Sequence, residues 1–251
     1  MKKLKQYFLL IGLMVVSVQI NAQNKVRIFG ELTGYQPQAV IYFTYTDVVK
    51  EKQIKMMDSA KIVNGKFEKS IMITEPSKMV LIMSPDGKQL NEFKKEEEKT
   101  VEAITLYVDK GEFHLKFEGS FSNWKMDPPV QIVSEYTTLM AMLNDRNTGV
   151  ESVNRRYTRG VNMGGDVEVK EGEVDAYQQA LERVNRSAVN NVTGFIKNHT
   201  KSYIGLVAIL YCHQFQPGLG PKLSALLKDY TTELQNSTLG KKLRVELEMS
   251  R

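Results

Sequence analysis

Cysteine is nearly absent: Cys212 is the only one in 251 residues. That excludes an intramolecular disulfide, a Cys-x-x-Cys redox pair and a cysteine-rich zinc site, so stability has to come from ordinary burial. Histidine is scarce as well. His114, His199 and His213 are scattered, with no carboxylate cluster at ligand spacing, and the sequence gives no reason to expect a bound metal or any other cofactor. There is no Gly-x-Ser-x-Gly elbow, no Walker-type loop, no dinucleotide fingerprint and no His-Glu-x-x-His. The glycines of Asn162-Met163-Gly164-Gly165 lack the Lys-Ser/Thr that a phosphate cradle needs and read as an interhelical loop. With neither a nucleophile–base pair nor a metal constellation, the chain is expected to be non-catalytic.

Long apolar runs are also missing, except one at the N-terminus. Lys2, Lys3 and Lys5 precede an uncharged stretch from Phe8 to Val18, followed by Ile20-Asn21-Ala22 ahead of Gln23. That order is a signal peptide (residues 1–22) with cleavage between Ala22 and Gln23. The run is too short to span hydrocarbon, which takes about 20 apolar residues. No cysteine stands at the cleavage point to carry a lipid, so a diffusible periplasmic protein of the cell envelope without a stable membrane span is expected. Cleavage leaves 229 residues and removes three lysines, which lowers the formal charge of +5 to +2. The apparent basicity therefore belongs mostly to the leader, and nucleic acid is not an expected partner.

From residue 23 to 126 the pattern is that of β-structure. Val26, Ile28 and Leu32 fall on one face of a first strand, and AVIYFTY, Ala39 to Tyr45, reads as a central strand covered on both faces. In DSAKIVNGKFEKSIMI, Asp58 to Ile73, Asn64-Gly65 supplies a type I′ turn between two arms and predicts a hairpin. A strand over about 78–83 ends at Pro85-Asp86-Gly87, and the charged KKEEEK of Lys94 to Lys99 reads as a solvated loop. Thr105 to Val108 and Glu112 to Glu118 flank Asp109-Lys110-Gly111. In the second arm Phe113, Leu115 and Phe117 point inward and His114 lies on the wet face. Six or seven such strands predict an antiparallel sandwich or open barrel.

Asp127-Pro128-Pro129 ends the strand pattern, and residues 127–251 read as a helical domain. Ile132, Val133, Tyr136, Leu139, Met140 and Leu143 share one stripe, with polarity rising from Asn144 and a break at Asn162–Gly165. A long helix is predicted over 171–199, its apolar face running from Val174 through Tyr177, Leu181 and Val184 to Ile196. Ser202 caps the next one, Pro221 opens another that reaches Leu234, and Ser237 caps the last. The predicted class is α+β, an N-terminal β domain followed by helices.

Single residues offer little chemistry. Cys212 sits in IGLVAILYCH, where a free cysteine behaves as a small hydrophobe; a mixed disulfide with an oxidoreductase is its functional alternative. His213 points about 100° away from it on a helix, so the adjacency makes no catalytic pair. Asn185, Asn191, Asn198 and Asn236 stand in Asn-x-Ser/Thr sequons, which mean little in a bacterial-type exported protein. Trp124 is placed to pack the sheet edge against the helices.

The segments VRIFGELTG, IYFTY, DSAKIVNGKFEKSI and LYVDKGEFHLKFEGS together resemble the N-terminal domain of unknown function of exported TlpA/ResA-like thiol-disulfide oxidoreductases. FIKNHTKSYIGLVAI and NSTLGKKLRVELE are similar to the helical connector that leads, in those proteins, into the thioredoxin-like domain. The chain ends three residues after Glu248 without that domain, so the family's dithiol chemistry is expected to be absent from it. Asp58-Ser59-Ala60 resembles an O-glycosylation site used by some bacteria, which makes Ser59 a candidate beside its bland reading as a turn or strand start. The resemblance implies an accessory or interaction module whose partner is a thioredoxin-like oxidoreductase or a second copy of itself. Two alternatives stand beside it: an envelope protein binding a glycan or lipid fragment, with Tyr42, Phe43 and Tyr45 as candidate lining, and a truncated remnant of a full-length oxidoreductase.

Overall fold

The structure, a computed structural model, describes residues 24–34, 38–49, 52–89, 101–161 and 167–249. The expected leader with its Ala22–Gln23 junction, the expected loop at Lys94–Lys99 and the expected break at Asn162–Gly165 lie outside the described residues.

The chain is α+β, as its pattern predicts. Strands β1 (Asn24–Leu32), β2 (Val40–Val49), β3 (Lys52–Lys61), β4 (Lys66–Ile73), β5 (Ser77–Ser84), β6 (Ala103–Val108), β7 (Gly111–Phe117) and β8 (Trp124–Met126) come first. They form two four-stranded sheets, ordered β4-β1-β7-β8 and β3-β2-β5-β6. Alternation along each strand turns one row of side chains into the space between the sheets: Val26 and Ile28, Ile41 and Phe43, Leu81, Leu106 and Phe113 are all at most 1% exposed.

The predicted hairpin is corrected by the pairing. The Asn64-Gly65 turn forms, with φ of 52° and 73°, and the Lys66 N–H donates to the Val63 carbonyl at 3.0 Å. Beyond that bridge the arms separate, because β3 pairs with β2 whereas β4 pairs with β1. Likewise β6 joins β5 while β7 crosses over to β1. Alternation says which residues face inward, and it says nothing about which sheet receives them. The β1–β7 pair is parallel, so the first sheet is mixed. AVIYFTY is central between β3 and β5, yet only Ala39, Ile41, Phe43 and Tyr45 are buried; Val40, Tyr42 and Thr44 are half-buried on the outer face.

One strand position depends on a missing side chain. A Cβ on Gly30 would lie 2.0 Å from the Phe67 ring, so glycine lets that ring slide beneath β1 and reach Phe43 and Phe117.

The helical half begins with α1 (Gln131–Tyr157), which runs past the expected change at Asn144. Among its later polar residues Arg146 donates to Asn185 at 2.9 Å and Asn154 accepts from the Tyr177 hydroxyl at 3.2 Å, while Leu143 and Val153 stay buried. A short ribbon of β9 (Thr158–Val161) and β10 (Val167–Val169), not foreseen from the sequence, joins it to α2 (Val174–Asn198). Val174, expected on the apolar face, is 53% exposed at the first turn of α2. Then come α3 (Tyr203–Phe215), a short 3-10 turn (Pro217–Leu219), α4 (Gly220–Leu227), α5 (Thr232–Asn236) and α6 (Thr238–Met249). Ser202 caps α3 through the Ile204 N–H at 3.1 Å, and Ser237 receives the Gly240 N–H at 3.1 Å, both as predicted. The helix expected from Pro221 to Leu234 is broken at 228–231. There Tyr230 turns into the core and donates to the Ile196 carbonyl at 3.1 Å, and Thr231 starts α5.

The two halves share a border. Val133 of α1 belongs to the sandwich core, and Ile132 packs against both cores. Tyr107 of β6 meets Tyr136 of α1 with ring centroids 4.9 Å apart. The Glu75 carboxylate, on the β4–β5 turn, accepts the Thr238 N–H at 2.8 Å and its hydroxyl at 2.9 Å, capping α6 from the other half of the molecule.

Candidate functional site

Cys212 is fully buried in α3, inside the helical core. Burial pushes its thiol up to about 12, so almost none is thiolate at neutral pH, and a reactive role loses both access and nucleophile. The Nδ1 of His213 is buried without a hydrogen-bond partner among the described residues. His199 stacks on Phe195 with centroids 3.8 Å apart. No group of three or more His, Cys, Asp or Glu that could hold a metal occurs among the described residues, nor any helix long and apolar enough to cross a membrane.

Ser59 is exposed near the end of β3, an outer strand, and not at a turn or strand start. Its neighbour Asp58 serves the fold, because Lys69 of β4 reaches it at 2.5 Å and ties together the adjoining edges of the two sheets. Trp124 packs against the sandwich core, which takes in Val133 of α1, and Tyr107 packs against the helical core. Of the three aromatics suggested as ligand lining, Phe43 and Tyr45 belong to the core, and Tyr42 is half-buried on the outer face of the second sheet.

A concave surface of the sandwich lies elsewhere, on the outer face of the first sheet. Phe29 of β1 and His114 of β7 are direct cross-strand neighbours and stack with centroids 4.6 Å apart and planes 10° from parallel. Arg27 lies 4.8 Å from the Phe29 centroid and bonds Glu112 at 2.7 Å and Glu68 at 2.9 Å. One row further along, Lys66 pairs with Glu31 at 2.8 Å and Lys116 with Asp127 at 2.5 Å. Lys66 holds the Glu31 carboxyl below its ordinary range, and Lys116 does the same for Asp127. Between the two rows runs a cleft of about 570 Å³ whose lining includes Gly30. The sequence signals His114 as a wet-face residue. Its partners follow only from the register, which sets Phe29 beside it and Glu31 beside Lys66 and Lys116.

A second groove, of about 600 Å³, opens where the halves meet; Glu75, Lys110, Lys201 and Tyr203 are on its walls.

Residues 26–126, from β1 through β8, match the family model described as a domain of unknown function, DUF4369. The match covers the sandwich and stops before the helices. No curated protein matches the chain significantly. Among solved structures, the solution structure of the CBM25-2 of beta/alpha-amylase from Paenibacillus polymyxa aligns at 12% identity over 41% of this chain and 90% of its own, with a TM-score of 0.23. A likeness of that size carries no argument about function.

Proposed function

We propose that the chain is an exported, non-catalytic interaction module of the cell envelope that works beside a thioredoxin-like thiol-disulfide oxidoreductase. The observation that carries this reading is the position of Cys212. The sole thiol is sealed in the helical core, so dithiol exchange in which this chain takes part must draw its Cys-x-x-Cys pair from outside these 251 residues. The sequence likeness of both halves to the N-terminal region and connector of TlpA/ResA-like proteins supplies the partner class. The match of residues 26–126 to a domain of unknown function supports it at the coarser level. Export rests on the charged, apolar and small-residue order of residues 1–22.

The test uses the chain from Gln23 onward, immobilised in periplasmic extract with and without an amine cross-linker. Enrichment of a Cys-x-x-Cys oxidoreductase is expected, together with no turnover by the module alone in an insulin-reduction assay. Catalytic reduction by the purified module, or the absence of any thiol oxidoreductase among specific partners, overturns the proposal. N-terminal sequencing of the periplasmic form checks the leader and is expected to start at Gln23.

A further inference from the structure

We propose that the cleft on the outer face of the first sheet is a binding site for a neutral oligosaccharide. The inference is independent of the redox-partner reading and rests on the chemistry of the cleft walls.

One wall is the Phe29–His114 pair, held in place by its own stacking and by Arg27 beside Phe29. With His114 stacked on the Phe29 ring and the guanidinium also over it, the pair offers the cleft a rigid flank of ring edges at low entropic cost. The opposite wall is the row Lys66, Glu31 and Lys116, which the register places side by side across β4, β1 and β7. The row thus presents an ammonium, a carboxylate and a second ammonium in that order, the first two paired at 2.8 Å and the third paired with Asp127. Each ion pair uses only part of its members' capacity, since an ammonium has three N–H donors and a carboxylate about four lone-pair sites.

Charge decides the class of ligand. Glu31, Glu68 and Asp127 on the lining are balanced by Lys61, Lys66 and Lys116, so the cleft has no net field to concentrate an ion. A phosphate or a peptide carboxylate would have to compete with Glu31 and Asp127 for the ammonium groups of Lys66 and Lys116. A lipid chain would strip water from the ion pairs without replacing its hydrogen bonds. A sugar has hydroxyls that both donate and accept, and a C–H flank that packs on rings. It satisfies both walls at once. The volume of about 570 Å³ lies inside the range of about 300–1,000 Å³ usual for small-ligand clefts.

The experiment titrates the full mature chain with maltohexaose, xylohexaose, mannohexaose and N-acetylchitohexaose, read by backbone amide NMR. Inorganic phosphate and vesicles of anionic phospholipid serve as parallel probes. At least one sugar is expected to give saturable shifts confined to Phe29–Glu31, Lys66–Glu68 and His114–Lys116. Phe29→Leu keeps apolar bulk but removes the ring, and is expected to weaken that binding about tenfold while leaving the melting curve unchanged. Glu31→Gln with Lys66→Met removes charge from the second wall, and is expected to weaken binding while the anionic probes stay silent. The proposal is overturned if no sugar shifts these amides up to its solubility limit, if phosphate or vesicles shift them instead, or if Phe29→Leu binds sugar as the parent does.

Discussion

The sandwich and the helical half bury comparable amounts of apolar side chain with different residues. The sandwich core sets five phenylalanines, Phe43, Phe67, Phe113, Phe117 and Phe121, among its Ile, Leu, Val and Met, whereas the helical core has one buried phenylalanine, Phe195, and is packed with leucines such as Leu139, Leu206, Leu223, Leu243 and Leu247. Packed sheets stand about 10 Å apart, and a flat ring bridges that gap from one side. Helices approach to about 8–10 Å with grooves that suit branched aliphatic chains. The difference predicts where each half is brittle. The sandwich depends on a few large wedges and on the room made for them, the helical half on many smaller contacts and on its caps.

The largest expected effect is the removal of a wedge. Phe113→Ala, at a site 1% exposed, is expected to cost about 3–5 kcal/mol by denaturant titration, against about 2–5 for Leu243→Ala in the helices. The shared border through Val133, Tyr107 and Glu75 makes a single transition the expectation in both variants. Two separate transitions would show that the halves are energetically independent.

Next comes the room beneath β1. Gly30→Val drives a side chain into the Phe67 ring and is expected to cost about 1–3 kcal/mol. Adding Phe67→Leu should recover part of the loss, and no recovery would place the damage elsewhere. Glu75→Ala removes the α6 cap supplied by the sandwich and is expected to cost about 0.5–2 kcal/mol, with faster amide exchange at Thr238 as the local readout.

The alkaline limb sharpens the comparison from the helical side. Cys212 is raised to about 12 from an ordinary 9.0, and burial also raises Tyr136, Tyr203 and Tyr230. The unfolded chain loses these protons first, so above about pH 9 the unfolded state binds fewer protons than the native one and stability falls as pH rises. Below that pH this contribution is fully present. Cys212→Ala is expected to flatten the decline, and an unchanged slope would remove the thiol from the account. A thiol reagent should be silent toward the native chain and react once it is unfolded.

The smallest effect is expected on the charged outer face of the first sheet. Lys66→Met breaks an exposed pair with Glu31 and should leave the melting temperature unchanged at moderate salt, because such pairs are screened and solvated.

Much of this organisation could be read from the residues alone. The order of strands then helices, the inward rows Val26/Ile28 and Phe113/Leu115/Phe117, the Asn64-Gly65 turn and the Ser202 and Ser237 caps all follow from local rules, because alternation, turn chemistry and capping act over a few residues. Sheet membership did not follow, since Lys61 and Lys66 flank a proper turn and still send their strands to different sheets. The ribbon at Thr158–Val161 and Val167–Val169 is too short for periodicity to register. The break at 228–231 is made by Tyr230 reaching across to Ile196, a contact 34 residues away in sequence. The cleft was hidden for the same reason: Phe29, Lys66 and His114 become neighbours only through cross-strand register, which no single segment carries.

The parallel pairing of β1 with β7 also sets a timetable. Arg27 meets Glu112 across 85 positions of chain, so the first strand to emerge during synthesis has no neighbour on that side until nearly the whole sandwich has been made. Closing so long a loop is slow. During refolding the β1–β7 pairs are therefore expected to form after the β1–β4 pairs, and that order would show as later amide protection on the β7 side of the first strand.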